Sequence, residues 1–187
     1  MIPDDEMTTA IRDLVRAGFE DRDRIIEILC HELYKPGTLD PVVVSKEVDR
    51  AINTHERSKD EWPETTDCDR LADAFISLSA QGVIAMHNAG FTKSDGLAEF
   101  RNFFENHPSP EDVVGFCYYH SQDVERALRG GGLYIGFGPR PDEDEDTEGK
   151  KVGRMVATDL ATAGLVVEWD GSFDARILLP NFVWQRR

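Results

Sequence analysis

The hydrophobic periodicity of this chain changes near residue 63, and that change constrains the fold more than any other sequence feature. Before it, apolar residues recur at helical spacing. Met7, Ile11, Leu14 and Val15 form one stripe, with Gly18 where a left-handed helix end belongs. Ile25, Ile28, Leu29 and Leu33 form a second stripe over residues 21–34, stopped by Pro36 and Gly37. Asp40 and Pro41 suit the N-cap and first position of a third helix, whose apolar face is Val44, Val48, Ala51 and Ile52. The polar stretch 54–61, closed by Trp62 and Pro63, reads as a boundary.

After that boundary, helix and strand alternate. A helix opens at Asp67, carries Leu71, Ala74, Phe75 and Leu78, and ends at Gly82. Five runs read as strands: VIAMH (83–87), VVGFCYYH (113–120), GLYIGFG (132–138), LVVEWD (165–170) and ARILLPNF (175–182). Helical segments 96–107, 121–129 and 150–164 separate them, with Ser121 as the expected cap of the second and Asp123 in its first turn. Short helical connections imply parallel neighbours and right-handed crossovers. DGSFD (170–174) has the length and chemistry of a hairpin turn. The expected fold is therefore α+β. A helical N-terminal segment, residues 1–62, precedes an α/β-type sheet domain, residues 63–187. The sheet is expected to be mixed, largely parallel and about five-stranded, flanked by helices, with a C-terminal antiparallel hairpin.

Charge and cysteine content narrow the function classes. The 187 residues hold 36 acids against 21 Lys plus Arg, a net charge of -15, which disfavours nucleic acid as a partner because phosphate contacts need cations. The same acidity disfavours a helix-turn-helix role for the three N-terminal helices. No apolar run approaches the roughly 20 residues of a membrane helix. The opening MIPDDEMTTA has no apolar core of a secretion signal, so no membrane partner and a cytoplasmic location are expected. Cys30, Cys68 and Cys117 are far apart and form no C-x-x-C pair, which fits a reducing compartment and argues against a thiolate metal site. Neither a metal nor another cofactor is expected. Most of the charge serves solubility; its sharper implication is a surface that attracts a basic protein partner. Six acids fall within the seven residues from Asp142 to Glu148, in a loop expected to be solvated and mobile.

Few motifs carry chemistry. The glycines of GGGLYIGFG (130–138) follow a helix and enter a strand, the reverse of a phosphate loop. No nucleophile elbow is present. Cys117 sits in an apolar strand and reads as an inert core thiol. Glu168 and Asp170 are expected on a solvent face, opposite Leu165, Val167 and Trp169. Arg186 and Arg187 read as a solvated tail. Among the histidines, His31, His55 and His107 fall on helices and form no metal-ligand spacing. His87 and His120 each end a strand expected to be parallel, and functional groups collect at such ends. The candidate ligand site is therefore His87, Asn88, Tyr119, His120 and Ser121. The imidazoles would supply acid–base chemistry and the other three would orient a ligand.

Three segments, residues 67–92, 116–138 and 152–180, and within them YYHSQDVERA and VEWDG most strongly, give the chain a family likeness. Over roughly residues 62–187 it resembles an uncharacterised bacterial domain family of unknown function. The resemblance implies a bacterial, cytoplasmic protein and supplies no activity or cofactor. Some relatives carry closely spaced cysteines after the first strand, where this chain reads NAGFTKSDG (88–96), so no metal follows from the resemblance. Two functional readings result. The first is a non-enzymatic acidic binding or regulatory module. The alternative is a small-molecule binder or enzyme using histidines at the C-terminal ends of two strands.

Overall fold

A computed structural model describes residues 5–187; the first four residues of the acidic N-terminal stretch lie outside it. The chain forms two compact units, one up to Thr66 together with Trp184–Arg187, the other Asp67–Val183.

The first unit is helical. Helix α1 is Asp5–Ala17, α2 is Arg22–Glu27 running into a wider turn at Ile28–Leu33, and α3 is Pro41–Lys59. Their stripes meet in one core of Met7, Ile11, Val15, Ile25, Leu29, Val44 and Val48. Asp21 caps α2 by accepting from Arg24 N at 2.8 Å, and Asp40 caps α3 by accepting from Val42 N at 2.9 Å. Helix α3 continues through the polar stretch read as a boundary. Pairs at i,i+3 spacing, Glu47 with Arg50 and Glu56 with Lys59, run along that face. The C-terminal residues are not a solvated tail. Trp184 is buried, the Arg186 guanidinium lies 4.0 Å from the Phe19 ring centre, and Arg187 donates to the Pro63 carbonyl at 2.6 Å.

The second unit contains the sheet. Its elements are α4 (Asp67–Ala80), β1 (Val83–Met86), α5 (Lys93–Glu105), β2 (Gly115–Tyr118), α6 (Ser121–Leu128), β3 (Leu133–Pro139), α7 (Lys150–Thr162) and β4 (Ile177–Leu179). Strand order follows chain order. β1 and β2 are parallel, with Met86 opposite Tyr118. β3 is antiparallel to β2, with Cys117 opposite Phe137, and β4 is antiparallel to β3, with Ile135 opposite Ile177. The expected largely parallel, five-stranded sheet is thus corrected, among the described residues, to four strands with one parallel pair. The connection from β2 to β3 is long enough for a crossover, but α6 is short and is followed by Gly130 at φ 77° and Gly132 at φ 75°. These left-handed residues turn the chain so that β3 starts beside the end of β2.

The expected strand 165–170 is reduced to one antiparallel bridge between Glu168 and Leu178. The Trp169 indole explains the loss. Its N–H lies within hydrogen-bonding distance of the carbonyls of Ser172 and Ala175, at 3.0 and 3.1 Å. The backbone therefore curls around the ring instead of extending. The hairpin that was to join residues 165–170 and 175–182 is likewise replaced, because β4 pairs mainly with β3.

The sheet is covered on both faces. Phe116 and Tyr118 face α5, where Phe100 stacks on Phe116 at 4.0 Å. Gly115 and Phe137 face α7, which approaches closely because Gly153 lacks a side chain: a Cβ there would stand 2.7 Å from both Phe137 and Trp169. The acidic loop is exposed at Asp142, Asp144, Glu145 and Asp146 but has internal structure. Asp144 caps the turn Glu145–Gly149, and Arg140, Lys150 and Lys151 pair with Glu143, Asp146 and Glu148. The chain's own bases thus answer part of the acidic run.

Candidate functional site at the strand ends

The parallel register of β1 and β2 carries their following residues to one end of the sheet. The two chains stay in step beyond the strands. Ala89 N donates to Tyr119 O at 2.8 Å, and Ser121 N donates to Gly90 O at 3.1 Å. Ser121 Oγ lies 3.0 Å from Asn88 Oδ1 and 3.1 Å from Gly90 O, and Asn88 adopts φ 52° to make the bend. Ser121 is the first helical residue of α6; the N-cap is His120, one residue earlier than expected.

The five candidate residues divide between the two faces of the sheet. Side chains alternate along an extended chain, so Tyr119 lies on the α4 face and His120 on the α5 face with Phe116 and Tyr118. His87 joins Tyr119: its Nδ1 is 2.9 Å from the Tyr119 hydroxyl, and its ring packs 4.7 Å from Phe75 of α4. His87 is exposed, whereas Tyr119 is 2% exposed. The hydroxyl and Nδ1 can share a proton in either direction, according to the imidazole tautomer.

His120 stands in a buried charged cluster with two residues that the sequence reading did not assign to a site. Asp123, 3% exposed, accepts from the His120 backbone N–H at 3.1 Å and places the same oxygen 3.1 Å from His120 Nδ1. Arg176 Nη1 donates to both Asp123 oxygens, at 2.9 and 3.1 Å, and lies 3.4 Å from His120 Nε2. The ring nitrogen nearest the carboxylate is within ion-pair distance but lacks the angle of a hydrogen bond. Burial holds the His120 imidazole below its ordinary pKa; Asp123 opposes that shift and Arg176 adds to it, with Asp95 of α5 a smaller opposing influence. The ring is therefore neutral near pH 7.

This depressed pKa gives stability a pH dependence. An unfolded chain takes a proton on this histidine first, near pH 6.5. The contribution from neutral His120 is complete above that pH and is lost as pH falls through the lower folded-state value. The melting temperature is expected to drop more between pH 7.5 and pH 5.5 in the natural protein than in a His120→Gln variant. His55, also lowered by burial with help from Lys59, acts in the same direction in both proteins and cancels in the comparison. Parallel melting profiles would contradict the assignment.

The chain belongs to DUF6891, a domain family of unknown function. The match covers residues 3–187 and so takes in the helical segment as well as the part where the resemblance was noted. No curated protein and no solved structure matches the chain. Among the described residues no group of three or more His, Cys, Asp or Glu could hold a metal ion, and no helix is long and apolar enough to cross a membrane. Burial lifts the Cys117 thiol well above its ordinary range, which makes it a poor nucleophile. A groove of about 670 Å³ lies at the opposite end of β1, lined in part by Ser79, Val83, Ala85, His107 and Asp112.

One signal for Asp123 stood in the sequence. It is three residues after His120, the spacing at which an N3 side chain reaches back to the N-cap N–H. Arg176 carried no such signal, because it reaches the site only through the β3–β4 pairing.

Proposed function

We propose that the protein binds a small molecule where β1 and β2 end, using His87 and His120 as acid–base groups presented from the two faces of the sheet. Asn88, Tyr119 and Ser121 orient that molecule. The observation that carries this reading is the 2.9 Å contact of His87 Nδ1 with the Tyr119 hydroxyl, with His120 held close to a carboxylate on the other face. His87 meets the hydroxyl of a buried tyrosine, and His120 meets a carboxylate itself held by an arginine. An imidazole oriented by a second group is the arrangement that proton transfer near neutral pH needs. The exposure of His87 gives a ligand access, and burial keeps the His120 ring in its neutral form. The acidic-module reading has less support, because three acids of the loop are paired within the chain.

The test is a panel of small metabolites screened against the whole chain by thermal shift and ligand-observed NMR, with hits repeated on His87→Ala and Tyr119→Phe. At least one compound is expected to stabilise the natural protein and to lose that effect in His87→Ala. The unliganded His87→Ala protein is expected to stay folded and to lose about 1–2 kcal/mol, because truncation removes a ring packed on Phe75 and one partner of the buried Tyr119 hydroxyl. A panel in which no binding depends on His87 would reject the reading.

A further inference from the structure

We propose that the ligand taken at this end of the sheet is a small oxyanion, a carboxylate or a phosphate, held by Arg126 and Arg176, whose guanidinium carbons both lie over the Tyr134 ring. The inference rests on the reading of the strand ends as a ligand site and names the ligand's chemistry. The Arg176 guanidinium carbon lies 4.6 Å from the Tyr134 ring centre, and that of Arg126 lies 5.1 Å from it. Tyr134 belongs to β3, Arg126 to α6, and Arg176 immediately precedes β4, so three separate elements bring these groups together.

Their hydrogen-bonding capacity is largely unspent. Arg176 uses Nη1 to hold Asp123; among the described residues its Nε and Nη2 make no hydrogen bond to the protein. Arg126 has no carboxylate partner among the described residues, and the Tyr134 hydroxyl makes no hydrogen bond there. Stacking on an aromatic ring holds a guanidinium plane while leaving its edge donors open, and that edge matches carboxylate and phosphate oxygens. Asp123 fixes Arg176 by one nitrogen and neutralises part of its charge, so Arg126 supplies the uncompensated cation. The protein as a whole carries -15 and repels anions at long range, so capture here depends on these local donors.

The test titrates the isotopically labelled whole chain with sodium phosphate and, separately, sodium malonate, at fixed pH and ionic strength, while amide shifts are followed. Saturable shifts are expected around residues 126–134 and 176 with at least one anion. Arg126→Gln should weaken that binding by about tenfold or more. Tyr134→Phe should weaken it less, because the ring stays. Arg154→Gln, an exposed arginine of α7 outside the cluster, should leave it unchanged. Response to phosphate alone assigns a phosphoryl ligand, and response to malonate alone assigns a carboxylate. No saturable response to either anion, or equal weakening in Arg126→Gln and Arg154→Gln, overturns the proposal. A metabolite that binds through His87 while both anions fail would overturn the anion assignment alone. Anion capture without any His87-dependent ligand would uphold it and remove the broader acid–base reading.

Discussion

Asp123→Ala is expected to destabilise the Asp67–Val183 unit by about 3 kcal/mol, the lower end of the cost of breaking a buried ion pair. The carboxylate does two jobs. It accepts from the His120 backbone N–H at the start of α6, and it neutralises Arg176 through two short contacts. Its loss removes a helix cap and leaves a guanidinium facing a buried imidazole. The Arg176 side chain is 33% exposed, so water can reach it and soften the penalty, which is why the lower end is expected. Asp123→Asn keeps the shape and an acceptor for the cap, and should cost about 1–2 kcal/mol. The double variant Asp123→Ala with Arg176→Met is the informative one. Removal of both charges should recover much of the loss, so the cycle returns a coupling energy well above zero. Urea unfolding of the four proteins measures it. An Asp123→Ala protein within 1 kcal/mol of the natural one would mean that the cluster is solvated and that His120 has no firm partner.

What the sequence made legible follows from the range of the interactions concerned. Helix starts are local: Asp40 caps where its place before Pro41 put it, and the second helix starts beside Asp21, because a cap needs only its own next three residues. The strands VIAMH (83–87) and VVGFCYYH (113–120) are likewise legible as short apolar runs that contain β1 and β2, whose register brings His87 and Tyr119 together. Strand direction was misread because it depends on where a connection ends, and that is decided by Gly130 and Gly132 rather than by the helix before them. The segment 165–170 has strand periodicity, yet one side-chain preference, that of the Trp169 indole for two carbonyls of the following loop, outweighs it. At the site, the sequence yielded histidines at strand ends but not their division between two faces, which depends on a single-residue offset in the pleat. Arg176 was invisible for the same reason as the antiparallel pairing: it meets His120 and Tyr134 only once β4 lies beside β3.

Gly96→Ala sets local propensity against packing, and packing is expected to win. Gly96 lies inside α5, where replacement of glycine by alanine favours a helix by about 0.8–1 kcal/mol. Here the added methyl would stand 2.5 Å from Cε2 and 2.7 Å from Cδ2 of Tyr118, closer than carbon atoms can approach. The ring has no direction of retreat. Gly136 of β3 backs its other edge, where a Cβ would stand 2.7 Å from Cε1, and Phe116 lies alongside at 6.0 Å between centres. Tyr118 is 1% exposed, so its displacement has to be taken up by α5 or by the strand. Overpacking of this kind costs about 1–3 kcal/mol, and the net effect of Gly96→Ala is expected to be a loss of about 1–2 kcal/mol despite the better helix former. The companion Gly96→Ala with Tyr118→Leu removes the ring that collides and should behave differently: the alanine then adds stability relative to Tyr118→Leu alone. The Tyr118 ring is also 6.3 Å from that of His120, so the single variant should move the amide resonances of residues 120–123 while the companion pair shows how much of that shift the ring transmits. A Gly96→Ala protein more stable than the natural one would mean that α5 does not press on Tyr118, and that the ring supporting His120 is loosely held.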